Sequence, residues 1–148
     1  MTVTTVPDIR PPRQRHPPGH GVPWPLVSAL DLGMLPSAVP CARHYTTYIL
    51  SEWDHLRHLA EDATIIVSEL VTNAVNHGGG PVTVCLRASS ERLLIEVWDS
   101  QSAPPERYPH ALDAECGHGL DIVAALSRDW GYCPGCGGGK TVWAVLAR

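Results

Sequence analysis

Phenylalanine is absent from this chain, and no apolar stretch approaches the length of a membrane span. Without Phe, a core has to be built from Leu, Val, Ile and Ala with help from five Trp. A basic excess is missing as well. The net charge of −4 withholds the electrostatic footprint that nucleic acid demands, so neither a nucleic-acid partner nor a membrane partner is expected. Met1 to Arg10 has no apolar segment of the secretory kind. Five cysteines is an odd count in such a chain, and reduced thiols in the cytoplasm are the expectation. What is present, 148 residues of which 44% are hydrophobic, suits one globular domain with room for a core.

Cations are also missing locally: between Leu59 and Gly80 there is no Lys or Arg. Within that stretch Ala63, Ile66, Val67, Leu70, Val71 and Ala74 recur at helical spacing, which predicts a helix from near Glu61 with this arc facing a core. At about 100° per residue, Glu69, Asn73 and Asn76 fall in a stripe roughly 60° wide along the edge of the arc. A carboxylate and two amides there are either a polar site set into an apolar wall or the polar flank of an ordinary amphipathic helix.

Residues 1–25 hold seven of the fourteen prolines, with Arg10, Arg13, Arg15, His16 and His20 among them, and read as a disordered tail. Residues 26–148 read as the folded domain. Leu26 to Leu35 is a weakly patterned first strand, and Val39–Trp53 a helix entered between Pro36 and Pro40. His55 to Ala60 connects it to the Glu61 helix, which Gly78-Gly79-Gly80-Pro81 ends. Val82–Arg87 and Leu93–Asp99 alternate with period two, predicting an antiparallel pair with one buried face. Ser100 to Glu115 is a long loop, Gly119–Leu126 a short helix, and Ser127–Tyr132 and Thr141–Ala147 two more strands. Helices in a block followed by hairpin-connected strands predict an α+β two-layer sandwich, a mostly antiparallel sheet with helices on one face.

The spacing Glu69-x-x-x-Asn73-Ala74-x-x-His77 resembles the N-box of the GHKL, or Bergerat-fold, ATPases. That superfamily includes gyrase, histidine kinases and mismatch-repair ATPases. The run Val67-Ser68-Glu69-Leu70-Val71-Thr72-Asn73-Ala74-Val75 is most similar to its bacterial anti-sigma factor branch of serine kinases. The resemblance spans about Leu30 to Arg148. It implies ATP and Mg²⁺ as ligands, with Asn73 giving an amide oxygen to the metal and ATP phosphates and waters completing the shell. Glu69, one turn earlier, is implied to orient or deprotonate the attacking hydroxyl. Asn76 and His77 are implied near the phosphates, although His77 serves equally well to cap the helix end.

Asp99 corresponds to the aspartate that accepts a hydrogen bond from the adenine amino group. A buried acceptor there favours adenine over guanine, whose oxygen faces that edge, by about 1–3 kcal/mol or more. The family pattern continues Asp-x-Gly-x-Gly, whereas Asp99-Ser100-Gln101-Ser102-Ala103 has neither glycine. Gly117-His118-Gly119-Leu120 matches the second glycine box, where glycines and a helix N-terminus approach phosphate. Thr141 is implied near adenine, directly or through a water.

Two other motifs compete for attention. Gly137-Gly138-Gly139-Lys140-Thr141 fails as a P-loop, since Pro134 stands where the first glycine is required and a strand follows instead of a helix. Lys140 then reads as a solvated turn lysine. Cys116-x-His118 with Cys133-x-x-Cys136 has the makings of a zinc site, against unligated thiols in a hairpin turn. The expected function is an ATP-binding regulator that phosphorylates or sequesters a partner, a sigma factor or an antagonist protein, with a homodimer common among relatives. The competing expectation is an inactive or ATP-independent interaction module of the same fold.

Overall fold

The computed structural model describes residues 12–19, 23–105, 119–135 and 137–147. Their elements run in the order β1 (Leu26–Gly33), α1 (Ala38–Glu52), α2 (Ala60–Gly78), β2 (Val82–Ala88), β3 (Arg92–Asp99), α3 (Gly119–Leu126), β4 (Asp129–Pro134) and β5 (Lys140–Ala147). The strands form one sheet in the order β1-β2-β3-β5-β4, every neighbouring pair antiparallel. Helices pack on one face of it, giving the expected α+β two-layer sandwich.

Alternation decides what each strand gives to that layer. Val82, Val84, Leu86 and Ala88 of β2 are buried while Thr83, Cys85 and Arg87 between them are partly exposed. On β5, Val142, Ala144 and Leu146 join the main core, with Ala63, Ile66, Val67, Leu70, Val71 and Ala74 from α2 and Leu120 and Val123 from α3. Fully burying a side chain of Leu or Ile size contributes about 1.5–3 kcal/mol, so α2 is anchored along its whole length. It stops where Gly79 takes a left-handed φ of 61°, a conformation glycine adopts without steric cost. The stretch His55 to Ala60, expected as a plain connector, falls largely in a 3-10 turn, Asp54–Leu59, that buries Leu56 and Leu59.

The intervening positions of β5 face the other way. Trp143 and Val145 form a second, smaller cluster with Leu94 and Cys133, and Trp24 packs against it. β2 keeps the expected single buried face, while Leu94 of β3 and Trp143 and Val145 of β5 add a smaller apolar patch on the other side. Trp143 is the only fully buried Trp among the described residues, and Leu, Ile and Val supply the rest of the largest buried side chains.

Part of the proline-rich N-terminus covers this second face. Residues 12–19, counted with the tail in the sequence, lie along β4. Gln14 bridges Tyr132 in parallel, the Arg15 N–H donates to the Tyr132 carbonyl at 2.8 Å, and the Tyr132 N–H donates to the Arg13 carbonyl at 3.2 Å. Trp143 Nε1 donates to the Arg15 carbonyl at 2.9 Å, while the Arg15 guanidinium pairs with Asp129 and lies 5.3 Å from the Trp143 ring. Prolines do not prevent this, because the pairing draws its donor and acceptor from Arg15 and Arg13. Residues 1–11 lie outside the described residues.

The fourth strand starts two residues later than the alternation suggested. Ser127 still belongs to the end of α3, where its N–H and its hydroxyl both donate to the Val123 carbonyl, at 3.0 and 2.6 Å. No helix among the described residues is long and apolar enough to cross a membrane.

Candidate functional site

Between α2 and the sheet lies a cavity of about 170 Å³. A single water needs roughly 10–15 Å³ on this scale, so the space suits part of an organic ligand. Its walls come from four of the elements that build the core: Leu70, Asn73, Ala74 and His77 from α2, Leu120 from α3, and Val97 and Val142 from β3 and β5. Gln101, Ala103, Pro104 and Pro105 close one side after β3, and Asp99 and Lys140 stand at the ends of their strands. The lining is mainly apolar with a few convergent polar groups, which is the usual make-up of a small-molecule site.

Helical geometry explains which polar residues of α2 reach it. Taking Glu69 as the origin and about 100° per residue, Asn73 stands near 40°, His77 near 80°, Leu70 near 100° and Ala74 near 140°. These four line the cavity. Asn76 stands near −20° and is exposed, away from the cavity. Glu69 occupies the edge. A methyl group built on Gly119 would meet Glu69 Oε2 at 2.7 Å and Asn73 Oδ1 at 3.5 Å. The first residue of α3 is therefore pressed against the carboxylate and amide of α2, with no room between them for a side chain. Glu69 and Asn73, one turn apart on α2, meet Gly119, some way further along the chain, at one corner beside Leu120.

At the opposite end, Asp99 and Lys140 are direct cross-strand partners. Both are buried, 3% and 6% exposed, and the Lys140 ammonium lies 3.1 Å from Asp99 Oδ1. Asp99 Oδ1 also accepts the Gln101 N–H at 2.9 Å, closing a turn two residues long, and Lys140 Nζ donates to the Gln101 carbonyl at 3.3 Å. Lys140 is not the solvated turn lysine that the sequence suggested. The period-two rule of β5 sends it to the helix-covered face with Val142 and turns Thr141 to the other. Thr141, implied near adenine, lines a separate groove with Trp24, Arg87, Glu96 and Cys133 on the outer face.

The chain matches the family described as "Histidine kinase-like ATPase domain" over residues 33–146, well over half its length. It belongs to that family. No curated protein matches it. As a histidine kinase-like ATPase domain it binds ATP, and the donor set fits such a ligand: an apolar slot ending in Asp99, and at the other end an amide and a carboxylate against a glycine at a helix start. The matched span begins at Gly33, so the N-terminal segment clamped on β4 is an addition outside it.

Gly117 and His118 of the glycine box lie outside the described residues, as do Cys116 and Cys136 of the zinc pattern. Of the latter set Cys133 is described, as a buried residue of the outer cluster. Among the described residues there is no group of three or more His, Cys, Asp or Glu side chains placed to hold a metal ion.

Among the described residues, the perturbed ionisations lie away from the cavity. Burial pushes the Cys85 thiol up, and the nearby Glu96 carboxylate adds to it. Burial likewise raises the Tyr45 phenol, against a 2.6 Å hydrogen bond that it donates to Ser28 Oγ. Arg87 is raised by its 2.8 Å bond to Glu96. The residue that sequence reasoning missed is Lys140, and the available signal was its register one residue ahead of a strand whose inward positions are Val142, Ala144 and Leu146.

Proposed function

We propose that this domain binds Mg-ATP and transfers the γ-phosphoryl group to a serine of a partner protein, in the manner of the anti-sigma factor kinases its N-box resembles. The observation that carries the reading is the meeting of Glu69, Asn73 and Gly119 beside an apolar cavity that Asn73 and Leu120 line. The base would occupy the slot that ends at Asp99, and the triphosphate would run toward the start of α3, where backbone amides suit an anion. Asn73 would hold Mg²⁺ through its amide oxygen, and that ion supplies charge neutralisation when bound. ATP phosphates would supply the negative charge that the neutral Asn73 amide does not, so a cluster of acidic side chains is unnecessary.

The chemistry asked of the chain's own residues is small. Glu69 orients the serine hydroxyl and takes its proton as the hydroxyl oxygen bonds to the γ-phosphorus. The bond from that phosphorus to the β,γ-bridging oxygen breaks, ADP leaves with the electron pair, and the Glu69 proton passes to solvent. Partner choice would follow nucleotide state, with a sigma factor and an antagonist protein as competing ligands and the domain itself pairing as a dimer.

A second reading, a nucleotide-holding interaction module without transfer, draws on the altered segment after Asp99, where Gln101 and Lys140 already engage the carboxylate. Labelled ATP and candidate antagonist proteins separate the two. Transfer to serine is expected, and Glu69→Gln is expected to slow it by about 10²–10⁴ while ATP binding persists. Transfer undiminished in that variant removes Glu69 from the chemistry. ATP that protects against heat without any transfer favours the module.

A further inference from the structure

A lone carboxylate at the bottom of the slot would present acceptors only. It would welcome the amino group of adenine and repel the oxygen that guanine carries at the same position. This cavity has a carboxylate and an ammonium side by side. Lys140 Nζ has three protons to donate; Asp99 Oδ1 and the Gln101 carbonyl take two, and among the described residues no acceptor takes the third. Asp99 in turn uses Oδ1 for both of its hydrogen bonds, leaving Oδ2 without a donor among the described residues. Both side chains are more than nine-tenths buried and both line the cavity. The remaining donor capacity of Lys140 and the second oxygen of Asp99 are thus left for whatever fills the slot that both residues line.

Purines offer a matching edge in two forms. Adenine places a donor, its amino group, beside an acceptor, the ring nitrogen N1. Guanine and hypoxanthine place an acceptor, the oxygen, beside a donor, the N1–H. Either edge satisfies an acceptor and a donor held next to each other, with the two roles exchanged. The geometry points to Lys140 as a specificity-determining residue that, with Asp99, admits six-oxo purine nucleotides to the cavity alongside adenine nucleotides. This rests on the reading of the cavity as the nucleotide site.

The test is a calorimetric titration of the full chain with the magnesium complexes of ATP, GTP, ITP and purine riboside triphosphate, the last lacking any group at position six. GTP and ITP are expected within about tenfold of ATP, and purine riboside triphosphate more than about tenfold weaker. Lys140→Met is expected to weaken GTP and ITP by more than about tenfold relative to ATP. That variant strands a buried carboxylate and is prone to misfold, so the analogue series on the unaltered protein decides by itself. Tight ATP binding with GTP and ITP more than tenfold weaker overturns the role of Lys140 and leaves the ATP reading intact. Failure of all four nucleotides to bind overturns both.

Discussion

At Gly119 the usual effect of a glycine replacement is reversed in its two halves. An Ala there removes backbone freedom from the unfolded chain and suits a helix start, which by itself stabilises by about 0.4–1 kcal/mol. Its methyl group would collide with the Glu69 carboxylate, the free end of a flexible side chain that can swing aside. Gly119→Ala is therefore expected to keep or raise the melting temperature while lowering phosphoryl transfer by at least about tenfold, because Glu69 is displaced from Asn73. A scanning melt and the labelled-ATP assay on the same preparation check it; full activity would show that the Glu69 position is not set by this contact. Sequence patterns named Glu69, Asn73, Asp99 and Gly119, each from a motif, without any view that Gly119 meets Glu69 and Asn73 while Asp99 meets Lys140. Lys140 was hidden for the opposite reason. Its neighbours Gly137 to Gly139 mark it as a turn residue, and only the register of β5 against Asp99 turns its ammonium inward.

Among the elements, α2 was the most legible and the N-terminal segment the least. Six apolar residues at helical spacing against a cation-free polar edge leave one way for residues 60–78 to fold, and their bounds were found within a residue. The strands were read from alternation, which locates a strand and its inward face but says nothing of a second cover. Residues 12–19 carry no alternation at all. What holds them is Arg15, which reaches Asp129 and Trp143 across the outer face, and no local pattern encodes contacts to residues more than a hundred positions away. Arg15→Ala removes a half-exposed ion pair and the cation–π contact, and should lower stability by about 1 kcal/mol. Because this segment and the cavity lie on opposite faces of the sheet, ATP affinity should not change. Denaturant melts with and without ATP test both halves, and a variant that lost ATP affinity would mean that the outer cover communicates with the cavity.

For the molecule as a whole, core and site are one construction. The helix that carries Asn73 is the same helix whose Ile66, Val67 and Leu70 are buried against the sheet, so the slot exists because the two layers are packed. A ligand that binds only this packed state stabilises it, by about 2.7 kcal/mol at a hundred times its dissociation constant. The fold places the Asn73 amide and the buried Asp99–Lys140 pair on the walls of the same cavity. Isothermal titration of the full chain with Mg-ATP, repeated on Asn73→Ala, tests this most directly. One-site binding that the substitution weakens by about tenfold or more is the predicted result. No heat of binding and no thermal protection at millimolar nucleotide would contradict it.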